Sequence, residues 1–450
     1  MFTVLQTPAR SLPFAHLLTL RLEIDHLHLP TTAFPALGSA CPNLQTLKLK
    51  YAMLGPNAIS HLHTHLPALH SLSLSYCDLW HPRGSWASVV LHLAARMNQL
   101  RVCHFNQCNL RDLTTAGAMV VDEEAGLGEG VYHSMRSVKM FDTGDARPTG
   151  DDLRAIVGAF PRLESLRADI PSQCLTTRGE LAWGNGQLTL PFLHRLELRS
   201  AKHKDISEEP REAPLPLVTP RIADLAIWAP PLFPAALIFA NARGLTRLVL
   251  NFLPVLLDDD EAPALPSLKT LEVRGLSVLA HAICLGAVKS LTRATPALTT
   301  LVVEALHRDS APIPKSDIAL LVARCPRLRT LRLRNFALPQ TALATVLAHP
   351  TAWPELETLA VVGPAAAVRA ASPEWEWAEL APFLDAHRGL RHIALAVGDI
   401  VVPGFQAPLM PSRARVGGGE DRFWAYAETI RRRWWWVREV NVFGPLGASG

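Results

Sequence analysis

Charge is scarce in this chain. Asp, Glu, Lys and Arg make up 19 % of 450 residues, and Lys plus Arg outnumber Asp plus Glu by only 44 to 40. Such a balance excludes a nucleic-acid domain built on overall charge, and leaves only a local gathering of cations on one face to attract an anionic partner. Paired cysteine spacing is missing too. The seven cysteines are an odd number with no disulfide or metal pattern, which fits reduced thiols inside a cell. None of the ten asparagines lies in an N-x-S/T sequon, and MFTVLQTPAR has neither the charged start nor the apolar core of a signal peptide, so the expected location is cytoplasmic or nuclear. The most apolar stretch, 222–240, is interrupted by Asp224, Pro230, Pro231 and Pro234 and reads as protein core rather than a membrane span.

Catalytic signatures are absent as well. There is no G-x-S-x-G elbow, no P-loop and no H-E-x-x-H, so no catalytic residue, cofactor site or metal site is assigned and the chain reads as a non-enzyme. Gly126, Gly128 and Gly130 lack phosphate-binding spacing and stand beside Asp122, Glu123 and Glu124, which repel phosphate. His61 and His65, four apart, share a helix face and suit a metal, but no further ligand completes the set, and a solvated helix is the preferred reading. The acidic run at 258–261 reads as a solvated loop. Arg431, Arg432 and Arg433 before Trp434, Trp435 and Trp436 suit stacking on single-stranded nucleic acid, yet three consecutive helical aromatics point in different directions, so terminal packing is preferred and nucleic acid is disfavoured as a partner.

What the chain has in excess is apolar residues, 49 %, and 36 prolines, above the ordinary usage of about 5 %. Apolar residues spaced i, i+3, i+5 recur in fifteen copies, from Leu17/Leu20/Leu22, Leu44/Leu47/Leu49 and Leu69/Leu72/Leu74 to Leu390/Ile393/Leu395 and Val437/Val440/Val442. Successive copies begin 23 to 47 residues apart, thirty on average, so one elongated domain over 17–450, behind a short segment 1–16, replaces the separate domains that length suggests. The last two apolar positions of each copy share one face of a short strand. Prolines such as Pro42, Pro67, Pro161, Pro266, Pro296, Pro326 and Pro354 precede the triplets and stop the helix before them. Helices are expected over 85–97, 151–160, 277–294, 316–325, 340–349 and 375–387. Flexible insertions are expected near 111–130, 200–216 and 402–420, and a last helix over 422–436.

This pattern resembles the leucine-rich repeats of the cysteine-containing, ribonuclease-inhibitor-like kind. Leu69-x-x-Leu72-x-Leu74-x-x-Cys77 and Leu100-x-x-Cys103-x-Phe105-x-x-Cys108-x-Leu110 carry the likeness, with Cys77 and Cys108 at the ladder position. The Cys-Pro-x-Leu junctions at Cys41 and Cys325 look like those of fungal F-box leucine-rich-repeat proteins. The resemblance implies an α/β solenoid, a horseshoe of about fifteen irregular repeats with a parallel sheet on the concave face and helices on the convex face. It also implies the substrate-binding part of a Skp–cullin–F-box ubiquitin ligase, with the Skp adaptor as a partner if an F-box lies upstream; sixteen residues before Leu17 are too few to hold one. The alternative is a stand-alone scaffold or inhibitor-like binding protein.

In either reading the concave face receives a protein. Its outward positions, before, between and after the last two apolar residues, include Arg21, Lys48, Lys50, Lys139, Arg167, Arg195 and Arg199 against Glu23, Asp169 and Glu197 in the first seven copies. The last eight carry Arg247, Arg274, Arg332 and Arg334 against Asp224, Glu272, Glu304 and Glu439, with Trp228, Val249, Val302, Val362 and Phe443 among them. The expected partner-binding residues are the seven cations of the first set with His104, Trp228, Arg332 and Arg334. A graded basic face suits an acidic protein segment; the alternative is an ordinary solvated strand face.

Overall fold

The computed structural model describes residues 14–24, 29–30, 32–55, 57–81, 85–112, 130–141, 148–170, 190–200, 222–228, 241–251, 264–275, 288–289, 291–293, 295–305, 311–312, 315–334, 336–337, 353–362, 383–396, 432 and 437–443. Each of the fifteen apolar triplets leads into a strand. The chain divides into two compact units, Met1–Ala229 with Pro234–Asn241, and Pro230–Phe233 with Ala242–Gly450.

Unit 1 holds β1 (Thr19–Glu23), β2 (Thr46–Lys50), β3 (Ser71–Ser75), β4 (Val102–Asn106), β5 (Ser137–Phe141), β6 (Ser165–Ile170), β7 (Arg195–Ser200) and β8 (Asp224–Trp228). Each pairs in parallel with the next in chain order, apolar position on apolar position. Leu47, Leu72, Cys103, Val138, Leu166, Leu196 and Leu225 form one buried row, which the half-buried Leu20 continues, and Leu22, Leu49, Leu74, Phe105, Met140, Ala168, Leu198 and Ile227 form the other. Because side chains alternate with a period of two, this register sends every intervening residue to the open face of the sheet. Unit 2 repeats the scheme with β9 (Arg247–Asn251), β10 (Thr270–Gly275), β11 (Thr300–Ala305), β12 (Thr330–Arg334), β13 (Thr358–Val362), β14 (His392–Ala396) and β15 (Glu439–Phe443), where Leu248, Leu271, Leu301, Leu331, Leu359, Ile393 and Val440 fall in register. Strand, turn and crossover segment stacked in chain order make each unit a leucine-rich-repeat solenoid.

The prolines have a finer task than ending helices. In repeat after repeat the first apolar residue of the triplet donates its amide to a carbonyl three residues back: Leu44 to Cys41 at 3.1 Å, Leu69 to Leu66 at 3.1 Å, Leu163 to Phe160 at 3.0 Å, Leu328 to Cys325 at 3.3 Å and Leu356 to Trp353 at 3.0 Å. Pro42, Pro67, Pro161, Pro326 and Pro354 therefore sit at the second position of a β-turn, where the fixed φ of proline is already correct and its missing amide is not needed.

Helices cross behind the sheet of unit 1: α1 (Ala33–Ala40), α2 (Ala58–His65), α3 (Trp86–Arg96) and α4 (Gly150–Ala159); unit 2 shows α5 (Lys315–Arg324). The last three match expected helices within a residue at each end. The expected helix at 340–349 lies outside the described residues, as do most of those at 277–294, 375–387 and 422–436 and the bulk of the three insertions. At Gly38 of α1 an added Cβ would lie 2.1 Å from the His65 carbonyl oxygen, so only glycine lets α1 and α2 approach this closely. Asp152 joins two helix starts. Its buried carboxylate accepts from the Thr149 amide at 2.8 Å, closing a capping box on α4, and also from the Ala87 amide at 3.0 Å and the Ser85 hydroxyl at the start of α3.

A second parallel sheet, Met53–Leu54, Asp78–His81 and Asn109–Asp112, follows the turn beyond β2, β3 and β4. The chain reaches it through Tyr51, Tyr76 and Gln107, at φ 59°, 55° and 52°, one residue after each strand. These residues adopt the left-handed region that favours glycine.

Candidate functional site

The open face of unit 1 is the most charged sheet surface described. Its central row runs Arg21, Lys48, Ser73, His104, Lys139, Arg167, Glu197 and Ala226, one residue per strand in continuous register. The unit 2 row runs Val249, Glu272, Val302, Arg332, Ala360, Ala394 and Asn441.

The cations expected to bind a partner fall into two groups. On β6 and β7 they are held by carboxylates of β7 and β8. Arg167 donates Nε and Nη2 to Oε2 of Glu197 at 2.7 and 2.6 Å, Arg199 Nη2 lies 3.1 Å from Oε1, and Arg195 stands 4.0 Å from Glu197 and 3.3 Å from Asp224. The Glu197 side chain is only 6 % exposed beneath these guanidinium groups. At the other edge Arg21 lies 2.5 Å and Lys50 3.8 Å from Glu23, and the Arg21 hydrogen bond, with the Lys50 charge, lowers the Glu23 carboxyl below its usual range. Between these pairs lie Lys48 and Lys139, with His104 between them.

His104 is half-buried, with Nε2 3.1 Å from the Ser137 hydroxyl. Burial, reinforced by the positive charges of Lys139, Arg167, Lys48 and Arg195, lowers its imidazole from 6.5 to about 4, so it is neutral at physiological pH. On β3 all three outward residues are serines, Ser71, Ser73 and Ser75, short side chains between the lysines of β2 and His104 of β4.

Several contributors escape a reading of outward positions. Phe141 occupies an outward position but is 1 % exposed, and its ring lies under Lys139 Nζ at 5.1 Å, Arg167 Cζ at 5.2 Å and Arg199 Cζ at 4.0 Å from the centroid. An aromatic among cations one and two strands away was the available signal. Tyr51 and Tyr76 pair at 5.0 Å, and Lys50 Nζ sits 4.5 Å from the first ring. In unit 2, Arg334 pairs with Glu304 at 2.9 Å while Arg332 stands exposed. Val249, expected on the outward face, is fully buried. Trp228 continues the register beside Arg199, but its side chain lies outside the described residues.

The other candidates resolve more simply. His61 and His65 stack at 5.9 Å and Phe34 stacks on His61 at 6.2 Å. Among the described residues no group of three His, Cys, Asp or Glu side chains is placed to hold a metal ion. Cys41, Cys77, Cys103, Cys108 and Cys325 are all buried free thiols, and burial raises Cys325 to about 12; Cys174 and Cys284 lie outside the described residues. No described helix is long and apolar enough to cross a membrane.

No protein-family model matches the chain, and no curated protein matches it. Among solved structures it is similar to a leucine-rich-repeat protein of Leptospira interrogans, at 15 % identity and a TM-score of 0.31, over 87 % of this chain and 98 % of that one.

Proposed function

We propose that this chain is a non-enzymatic binding protein whose unit 1 receives an acidic protein segment on the open face of its sheet. The observation that carries the reading is the in-register row Arg21, Lys48, Ser73, His104, Lys139 and Arg167, which contains no acidic residue over six successive strands. Aligned charge of one sign speeds encounter and selects orientation more than it adds affinity, so the partner's acidic residues set where it lands. The resemblance of the Cys-Pro-x-Leu junctions supports a finer version, a ubiquitin-ligase substrate receptor acting in the cytoplasm or nucleus; a stand-alone scaffold is the alternative. Co-precipitation of the full chain with a Skp adaptor separates them, since a receptor without adaptor contact cannot join the ligase.

The test of the binding reading is fluorescence anisotropy of a labelled octaglutamate peptide with the full chain. The triple variant Lys48→Glu, Lys139→Glu, Arg167→Glu loses more than about tenfold in affinity, from three reversed charges at the interface, and the double variant Lys48→Glu, Lys139→Glu, which leaves the Arg167–Glu197 pair intact, separates that loss from any loss of folding. Equal binding by the wild type and the triple variant would remove the reading.

A further inference from the structure

The first rung of unit 1 is less covered than those after it. Leu47 and Leu72 are 0 and 1 % exposed, with a strand on either side of theirs, whereas among the described residues β1 has a neighbour on one side alone, β2. Leu20, the matching residue of β1, is only half-buried, and Leu18, two residues before it, is 48 % exposed. A terminal repeat keeps such apolar surface until another element closes it. The backbone of β1 is divided in the same way. The Leu18 carbonyl accepts from the Gln45 and Thr46 amides, and the Ile24 amide donates to Lys50. Every second residue of a parallel strand addresses the same neighbour, so Leu18, Leu20, Leu22 and Ile24 turn their amides and carbonyls to β2, while Thr19, Arg21 and Glu23 turn theirs to the outer edge.

Charges on an edge strand commonly stop a second chain from pairing with it. Here they favour one such pairing. Arg21 and Glu23 have opposite signs and stand two apart on the open face, 2.5 Å from each other, with Lys50 3.8 Å from the same carboxylate and both side chains more than half exposed. When β1 meets a second β1 antiparallel, Leu22 opposite Leu22, the Arg21 of each copy falls opposite the Glu23 of the other and Leu20 falls opposite Ile24. Arg21 and Glu23 are also residues whose backbone groups face outward, so each such pair can exchange both of its N–H···O bonds. No existing ion pair is displaced, because a carboxylate has a second oxygen and a guanidinium further N–H donors, and the side chains close a ring of alternating charge. Centring the pairing on Arg21 instead sets like charges opposite each other, which destabilises it. We propose that β1 is the contact through which two copies of this chain pair, edge to edge and antiparallel, about a two-fold axis at Leu22. The contact goes beyond the acidic-segment reading and does not rest on it. It sets Leu20 against Ile24 of the second copy, and Leu18 diagonally to the same residue. Opposed residues share a face, so both open faces look the same way and the two basic rows run outward from one centre.

Sedimentation velocity of the full chain from about 1 to about 100 µM follows the contact by mass action. The wild type passes from monomer to dimer and stops there. Arg21→Glu sets carboxylate against carboxylate and Glu23→Arg sets guanidinium against guanidinium, so each variant alone dimerises more than about tenfold more weakly. Mixed together, the two variants form a one-to-one dimer, since each then meets the opposite charge; that rescue separates a lost contact from a lost fold. Leu22→Cys becomes a disulfide-linked dimer under a mild oxidant such as diamide while the wild type does not, because Cα atoms opposed at a non-hydrogen-bonded antiparallel pair lie about 4.5 Å apart. A wild type that stays monomeric throughout, a polymer that keeps growing with concentration, variants that dimerise as the wild type does, a mixture without rescue or a missing Leu22→Cys cross-link would each overturn the contact. None of these outcomes bears on octaglutamate binding, so the two proposals fail separately.

Discussion

The two units share one way of building a sheet and differ in what they place on it. In β1 to β8 the central row is polar and basic until Glu197; in β9 to β15 it passes through Val249, Val302, Ala360 and Ala394. Both units contain a carboxylate gathering arginines. Glu197 gathers Arg167 and Arg199 in unit 1, and Glu272 lies 2.9 Å from Arg247 and 3.3 Å from Arg274 in unit 2. The ladder of arginine and glutamate is therefore a shared structural device, a way to cover strand faces with paired charge. What unit 1 has and unit 2 lacks is the lysine and serine surface of β2 to β5. Binding function is better sought in that difference than in total positive charge.

The largest effect comes from the ladder common to both units. Leu72→Asp places a charge at a position that is 1 % exposed and costs more than about 4 kcal/mol, enough to melt its neighbours. Hydrogen exchange checks this as lost protection at β2 to β4. We also propose that residues 17–450 act as one array; on that proposal the loss fades with distance from the mutated repeat, as nearest-neighbour coupling requires, and Leu331→Asp produces the mirror pattern in unit 2. Next comes Asp152→Ala, which strips the caps of α3 and α4 together and costs about 2 to 3 kcal/mol in chemical denaturation, more than a single exposed cap.

Acid separates the units more gently. Between pH 6.5 and about 4 the unfolded chain protonates its His104 while the folded protein does not. The stability from that neutral ring is present above pH 6.5 and is lost as pH falls toward 4. His104→Gln therefore shows a shallower loss of thermal stability over this interval than the wild type; identical slopes would contradict the buried, neutral ring. The smallest effect belongs to the exposed fork in which Arg329 donates to Glu355 at 2.9 and 2.8 Å in unit 2. Arg329→Ala leaves the melting midpoint unchanged, because two solvated side chains gain little by pairing.

The fold was legible because a buried row repeats its chemistry at every rung. Leu47, Leu72 and Leu166 could be aligned without coordinates, and the register then follows from strand period alone. Helix α1 was less legible, since Pro35 and Gly38 weaken its pattern and the need for glycine arises from the His65 carbonyl of another helix. The second sheet was missed because Met53–Leu54 and its neighbours are too short to show alternation. At the site, the outward residues could be named one by one. The carboxylate-held arginines could not be told apart from their neighbours, since that depends on how far Arg167 and Arg199 reach toward Glu197, and the burial of Phe141 depends on the cations that cover it.

The most direct test of the account maps bound octaglutamate onto the full chain by hydrogen exchange or backbone NMR. The account predicts changes concentrated on β1 to β6, around Lys48, Ser73, His104 and Lys139, with little at Arg332 and Arg334 of unit 2. Changes centred on unit 2, or spread evenly over both units, would contradict it.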